Sequence, residues 1–530
     1  MTLVQLLTLV ASLFLGNLIV SLLLVPLVMR FARRVGAVDR GGYRKVFEGA
    51  MPLLGGLGVA LPLLVIGVFT SIAGHYIVLN FAYFHTEYPG YFSTLMTIAQ
   101  FRSDGIVLIL GSLAILALGL VDDTRGMRAR WKLLGQVVVA SFVCVSGHGL
   151  TDVDIPLVGT LNLGVFFGGM LTVLWIVGMI NAFNLIDGVD GLASGIALVG
   201  VLALVILSII QGNLFVTFVG AALAGTLLGF LCFNFPPARI FLGDTGSMFI
   251  GYFLATMSLM GSPKYETAVI LLTPMLALSF PIFETFISII RRYLRGVPIF
   301  AGDNHHTHHR LLGKGYSQPQ VVLTLYGVAL SLATAAVLSA LIPLNSPWSG
   351  IPYALYAGTL VYIAWLAGYL RPTTFRALFE RRQKNRLFHA LANYAKQCLD
   401  SHARSVERRL LLELCRHELG LRYIDVVLEG GINLMASEGG IRPAELAANS
   451  EKLRVKSTDE QDVFVYYAFI EEPSDNHRAD VIACLAGIFD QTVIDHRANR
   501  AALGLGEAER VHGGSHGGEI LPNTEPHSSS

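Results

Sequence analysis

Charge is what this sequence lacks most. Only 14% of its 530 residues are Asp, Glu, Lys or Arg, against roughly 25% in an ordinary soluble domain. With a mean hydropathy of +0.60, that deficit excludes a wholly soluble chain and points to a membrane protein. Cysteine is nearly as scarce. Five are scattered (Cys144, Cys232, Cys398, Cys415 and Cys484) with no CxxC pair, which excludes a disulfide scaffold. Three of them fall in the polar C-terminal third, as expected in a reducing compartment. No repeat of 20–50 residues is visible, so a solenoid is excluded too. The net charge is +1, a balance that by itself says nothing about acidic partners; no nucleic acid is expected.

Long apolar runs are abundant. A membrane helix needs about 20 apolar residues, and about eleven segments meet or approach that length. They centre on Leu15, Leu63, Leu113, Val139, Leu171, Ala203, Val219, Leu254, Ala277, Leu330 and Tyr362. The first, from Leu3 to Met29, is too long for a signal-peptide core and is read as a helix that stays. Arginine and lysine gather in alternate loops: Arg30, Arg33 and Arg34; Arg125, Arg128, Arg130 and Lys132; Arg291, Arg292 and Arg295. The loops between them, such as His75 to Ser103, are nearly free of both. The positive-inside rule then puts the N-terminus outside and these basic loops in the cytoplasm. An odd number of spans puts the C-terminal third inside as well.

The expected architecture is an all-α polytopic membrane domain over 1–370, followed by a soluble cytosolic α/β domain over 371–503. That second domain reads as helical through Glu418, then as short β-rich runs at Tyr423–Leu428, Lys452–Lys456 and Val463–Ile470. A final amphipathic helix covers Ala479–Ala498. Gly, His, Ser and Pro dominate 504–530, which predicts a disordered tail.

A carboxylate at the centre of a membrane helix costs about 2.5–3.5 kcal/mol, so acids at span ends are informative. Four polar clusters stand out. They are Val121-Asp122-Asp123-Thr124; Asn181-Ala182-Phe183-Asn184-Leu185-Ile186-Asp187-Gly188-Val189-Asp190-Gly191; Phe241-Leu242-Gly243-Asp244-Thr245-Gly246-Ser247; and Asp303-Asn304-His305-His306-Thr307-His308-His309-Arg310. By the span count all four face the cytoplasm. Carboxylate and amide oxygens suit Mg²⁺, which binds through one or two carboxylates plus substrate phosphates. Glycines let backbone approach a phosphate, and the cations between Arg125 and Lys132 offer a clamp. Together these are parts of a phosphoryl-transfer site. Blander readings stand beside this one. Asp122 and Asp123 read equally as an interfacial cap, Asp244 or Thr245 as a helix N-cap, and the histidines as a solvated loop or a zinc site.

In order and spacing these clusters resemble one family, the polyprenyl-phosphate N-acetylhexosamine-1-phosphate transferases. The matching motifs are Val121-Asp122-Asp123, Asn181-x-x-Asn184-x-x-Asp187-Gly188-x-Asp190-Gly191, Gly243-Asp244-x-Gly246-Ser247 and His306-x-His308-His309. Arg44-Lys45, Gly49 and Pro52-Leu53-Leu54-Gly55-Gly56 look like the family's first cytoplasmic loop, with Phe47 where a histidine is frequent. The resemblance implies Mg²⁺, or Mn²⁺ in its place, held by Asp244 with Asn184. It implies a catalytic set of Asp122, Asp123 and Lys132, with Asp122 as base or covalent nucleophile. It further implies Asp187 and Asp190 near the uracil, and His306, His308 and His309 at the donor's diphosphate and sugar. The histidine triplet has the form of the N-acetylglucosamine-type enzymes.

The expected reaction moves N-acetylhexosamine 1-phosphate from a UDP-sugar to polyprenyl (undecaprenyl) phosphate, releasing UMP, at the inner membrane of a bacterium, and so starts a cell-surface glycan. The expected partners are that donor, that acceptor and the lipid bilayer, with a homo-oligomer left open. Rival readings are the transferase that forms lipid I, a membrane lipid-phosphate hydrolase, an ion transporter, and a receptor built on the C-terminal domain.

Overall fold

In a computed structural model of the chain, the residues described are 2–39, 51–80, 83, 102–155, 159–260, 275–295, 306–343, 345–368 and four strands between 421 and 469. The chain divides into two compact units, one of residues 1–293 and 298–375, the other of 294–297 and 376–530.

The first unit is helical: α1 (Leu3–Val35), α2 (Gly55–Leu79), α3 (Arg102–Arg125), α4 (Ala129–Val143), α5 (Gly164–Ile186), α6 (Leu192–Ile210), α7 (Leu214–Asn234), α8 (Gly243–Met260), α9 (Ser279–Arg295), the short α10 (Thr307–Leu312), α11 (Gln318–Leu341) and α12 (Gly350–Leu366). Two small hairpins, β1 (Val38–Asp39) with β2 (Met51–Pro52) and β3 (Asp152–Ile155) with β4 (Gly159–Asn162), complete it. Eight of the described helices are long and apolar enough to cross a bilayer, so this is a multi-pass membrane protein. Each of the eleven expected span centres falls in helical backbone. The helix around Leu254 and those near Ala277 and Tyr362 do not reach the count of eight, and the last is only 17 residues long.

Sequence sets where the helices begin and end. Thr2 and Gln5 form a reciprocal capping box before α1, and Gly36, at φ 74°, closes it. Ser317 and Gln320 open α11 in the same way. Burial then separates inner from outer helices. Every residue of α8 from Thr245 to Met260 is buried, whereas α1 buries only Asn17, Ser21, Val25, Val28 and Ala32. The apolar faces of α1 left exposed, such as Leu15, Ile19 and Leu23, are those a lipid tail covers. Lipid is as apolar as leucine, so packing between such helices rests on close backbone approach and polar bridges. Two of these bridges are visible: Ser21 Oγ donates to the Thr226 carbonyl on α7 at 3.0 Å, and Trp175 Nε1 on α5 donates to Ser258 Oγ on α8 at 3.0 Å.

The second unit contains an antiparallel sheet of β5 (Leu421–Leu428), β6 (Asn433–Ala436), β7 (Glu451–Lys456) and β8 (Asp462–Phe469) in the order β6-β5-β8-β7. The β-rich runs read from sequence are strands. The helices expected at 371–418 and 479–498, the tail from 504, and the loop residues Arg44, Lys45, Phe47 and Gly49 lie outside the described residues.

Candidate active site

The N-terminus of α8 is the place to which the other polar segments come. Gly243, at φ +74°, starts the helix, and a Cβ there would stand 2.7 Å from Asp123 Oδ2. Only glycine accepts both that backbone and that neighbour. Asp123, at the end of α3, then takes the first turn of α8 in both oxygens. Its Oδ1 accepts the Asp244 N–H at 2.9 Å; its Oδ2 accepts the Thr245 N–H at 2.9 Å and the Thr245 hydroxyl at 2.5 Å. The N-cap expected of Asp244 or Thr245 is instead supplied by Asp123, 121 residues before Asp244. A carboxylate there also meets the positive end of the helix dipole.

The opening of α2 docks on the same place. Leu54 holds a left-handed φ of 68° while fully buried, a strained arrangement that turns Gly55 and Gly56 so their N–H groups donate to the Phe241 and Leu242 carbonyls, both at 3.0 Å. A Cβ on Gly56 would collide with the Gly246 backbone.

Asp122 points the other way from Asp123. Its Oδ1 accepts the Met127 N–H at 2.7 Å, and its Oδ2 pairs with Lys132 Nζ at 2.8 Å. The turn between α3 and α4 is short, so Lys132, in the first turn of α4, comes straight back over the end of α3. The same ammonium lies 2.9 Å from Asp244 Oδ2. Lys132 therefore bridges two carboxylates, of which Asp122 is 10% exposed and Asp244 32% exposed. From α5, the Asn184 amide donates to Asp244 Oδ1 and, at 3.0 Å, to Ser247 Oγ. Asn181, one turn earlier, instead donates to Gln136 Oε1 of α4 at 2.7 Å. Asp187 follows at the end of α5. Burial pushes its carboxyl well above the ordinary carboxylate range, and the charges of Asp244, Asp123 and Asp190 push it further. Asp122, Asp123, Asp187 and Asp244 thus converge, with Lys132 pairing two of them.

An excess of carboxylate oxygen with one amide beside it fits a hard divalent cation, which takes few protein ligands when phosphates supply the rest. Asp244, with Asn184 against it, is the side chain in this set with both an open face and no helix N–H to satisfy. Among the described residues no group of three or more His, Cys, Asp or Glu is arranged as a metal cage.

Asp190 sits apart. Buried, it accepts the Ala238 N–H at 3.1 Å, and burial raises its carboxyl. Asn234 works beside it: its Oδ1 accepts the Gly191 N–H at 3.1 Å and the Ser194 hydroxyl at 2.8 Å, and its Nδ2 donates to the Ile240 carbonyl at 2.9 Å. The Tyr326 hydroxyl of α11 donates to the Gly191 carbonyl. Together these fix the turn that carries Asp187 and Gly188.

The histidine turn meets this loop at Gly188. His308 is buried, and its Nε2, which has no hydrogen-bond partner, would lie 3.0 Å from a Cβ on Gly188. Burial, with His309 and His306 beside it, pushes the imidazole down to about 3, so it is neutral at ordinary pH. His306 stacks on His308 with ring centres 5.5 Å apart; His309, with its ring 4.4 Å from that of His308, is exposed.

Sequence reading missed Asn234, Tyr326 and Glu284. Glu284 is an acid inside the otherwise apolar opening of α9, so the cost that singled out the other carboxylates applied to it too.

A membrane bundle whose carboxylates converge at one end beside a lysine has the parts that phosphoryl transfer needs. Comparison with known proteins gives the family. Residues 105–262 match the sequence model of glycosyl transferase family 4. A probable undecaprenyl-phosphate N-acetylglucosaminyl 1-phosphate transferase of Bacillus subtilis is 36% identical over 325 residues, covering 61% of this chain and 83% of the relative. A decaprenyl-phosphate N-acetylglucosaminephosphotransferase of Mycobacterium tuberculosis is 34% identical over 320 residues, 56% of this chain and 74% of its own. A phospho-N-acetylmuramoyl-pentapeptide-transferase of Halalkalibacterium halodurans is 30% identical over 348 residues, 63% of this chain and 97% of its own. The chain belongs to this family, the polyprenyl-phosphate N-acetylhexosamine-1-phosphate transferases, and is a phosphotransferase.

Proposed function

We propose that the enzyme transfers N-acetylhexosamine 1-phosphate from a UDP-sugar to polyprenyl phosphate, releasing UMP and leaving a polyprenyl diphosphate sugar. The observation that carries this reading is the meeting of Asp122, Lys132, Asn184 and Asp244 from four different helices at one point. The basic loops at that end support a cytoplasmic site, where a nucleotide sugar is available and the acceptor phosphate lies at headgroup level.

Asp244, oriented by Asn184, would hold Mg²⁺. A cation held there would supply positive charge against the diphosphate of the donor. Lys132 is placed to exchange a carboxylate for a phosphate oxygen, which fixes the reacting group in line. Asp122 is placed to take the remaining proton of the acceptor phosphate. Its Oδ1 is engaged by Met127 and its Oδ2 by Lys132, so an oxygen is freed for that proton when Lys132 turns to the substrate phosphate. Asp123 touches no reactant in this scheme; it holds the first turn of α8, and with it Asp244, in place. The uracil end of the donor falls to the loop around Asp187 and Asp190, and the diphosphate and sugar to His308, with His306 and His309.

Purified enzyme incubated with polyprenyl phosphate, Mg²⁺ and a panel of UDP-sugars tests this reading. UMP release that depends on the lipid, with a matching lipid product, is expected for an N-acetylhexosamine donor. Release without the lipid would mean a hydrolase. Turnover of UDP-N-acetylmuramoyl-pentapeptide and of no other donor would mean phospho-N-acetylmuramoyl-pentapeptide transfer, the activity named for the H. halodurans relative. No release with any donor would end the proposal.

A further inference from the structure

The histidine turn has too little structure of its own to stay where it is. Helix α10 runs only from Thr307 to Leu312, and His306 at its N-cap makes no side-chain capping bond. A helix of that length does not persist unaided. Its C-terminal side is tied down by cations: Arg310 Nη1 donates to the Ala367 carbonyl at 2.8 Å, and Lys314 Nζ to the Leu366 carbonyl, at the end of α12. Among the described residues, its N-terminal side is held by Glu284 of α9. Glu284 Oε1 accepts the Thr307 N–H at 2.7 Å and Oε2 the Thr307 hydroxyl at 2.5 Å. Oε1 also stands 3.5 Å from His306 Nδ1.

Glu284 is only 1% exposed. A carboxylate buried in an apolar helix is expensive, and capping six residues is a small structural return. What the cap controls is the direction of His308. Rotating α10 about its axis carries the unpartnered Nε2 of His308 away from Gly188 and the Asp187 loop. His306, touched by Glu284, stacks on His308 from the other side, so Glu284 restrains that imidazole through the backbone of Thr307 and through a neighbouring ring.

We infer that Glu284 is a positioning residue for the donor substrate: through Thr307 and His306 it sets the angle at which His308 presents Nε2 beside Gly188. It thereby controls affinity for the diphosphate–sugar portion of a nucleotide sugar without touching it. This inference rests on the reading of the histidine turn as part of the donor site.

The test is steady-state kinetics on full-length detergent-solubilised enzyme with UDP-N-acetylglucosamine and polyprenyl phosphate, each varied in turn. Glu284→Gln keeps the shape of the side chain and loses its charge. It is expected to raise the donor KM by about tenfold or more, the scale of a hydrogen bond to a charged group, with the acceptor KM and thermal midpoint unchanged. Because Glu284 acts through His308, the Glu284→Gln/His308→Ala double variant is expected to have the donor KM of His308→Ala alone. Additive effects, an unchanged donor KM, or a parallel loss of acceptor affinity and thermal stability would each overturn the inference. If Glu284→Gln does not fold, Thr307→Val removes one of the capping bonds and carries the same expectation at about threefold to tenfold; no rise there overturns it equally. An unchanged donor KM in His308→Ala itself would overturn the donor-site reading as well. A raised KM in His308→Ala with none in Glu284→Gln would overturn only the role of Glu284.

Discussion

Two polar regions meet at this end of the bundle, and each is organised by a carboxylate that reaches across to the first turn of another helix. Asp123 takes the N–H groups of Asp244 and Thr245; Glu284 takes the N–H and hydroxyl of Thr307. Beyond that likeness the regions are opposites. The α8 region is dense in charge, with Asp122 and Asp244 bridged by Lys132. The α10 region presents a buried imidazole, neutral because burial opposes its protonation. On the function proposed above, the first region would manage charge that changes during the reaction and the second would offer fixed, uncharged hydrogen-bonding groups. Preorganised dipoles lower a barrier most where the charge develops, so the two should respond differently to substitution.

The largest effect is expected from Asp244→Asn. With a carboxylate lost from the charged region, turnover measured as lipid-dependent UMP release should fall roughly a thousandfold or more, with the folded protein retained. Near-normal turnover in that variant would dissolve the distinction between the two regions. Asp122→Asn comes next, with a loss of about a hundredfold or more if its oxygen accepts a proton. A loss of that size should appear in kcat, and a change confined to KM would move Asp122 out of the proton-accepting role.

Gly243→Ala probes the cap rather than the charge. It strains a left-handed φ and drives a methyl group against Asp123, so a stability loss of about 1–3 kcal/mol is expected, read as a lowered unfolding midpoint. An unchanged midpoint would mean that the Asp123 cap adapts freely.

The smallest effect concerns the neutral region. The His308 imidazole is pushed down to about 3 in the fold from about 6.5 in an unfolded chain. Between those values the unfolded chain binds the extra proton. The stability present above pH 6.5 is therefore lost progressively as pH falls towards 3. His308→Gln should lose less thermal stability than the parent between pH 7 and pH 5. Equal losses would show that His308 is not buried as a neutral ring.

The α8 region was far more legible in the sequence than the α10 region. Asp122, Asp123, Asn184, Asp187 and Asp244 stand at the ends of long apolar runs, where an acid is costly and therefore conspicuous. Glu284 sits inside a run that reads as one more span, and Asn234 reads as a residue just before the Pro236-Pro237 stop, with no acid beside it to draw notice. The split between Asp122 and Asp123 was not legible either. Two adjacent identical residues on a helix project in different directions, and only the helix that arrives beside them decides that one caps and the other pairs with Lys132. The strands of the second unit were visible at Tyr423–Leu428, Lys452–Lys456 and Val463–Ile470, whereas the short Asn433–Ala436 strand was not, its pattern being too brief to register.

By itself the sequence determined that the chain enters a bilayer many times and that its acids gather near span ends, because hydropathy and the cost of charge act residue by residue. Only the tertiary structure decided which oxygen caps a helix, which meets a lysine and which imidazole is left without a partner. Those outcomes depend on distances between segments that pack together in space, several of them more than a hundred residues apart, and no local pattern encodes a distance.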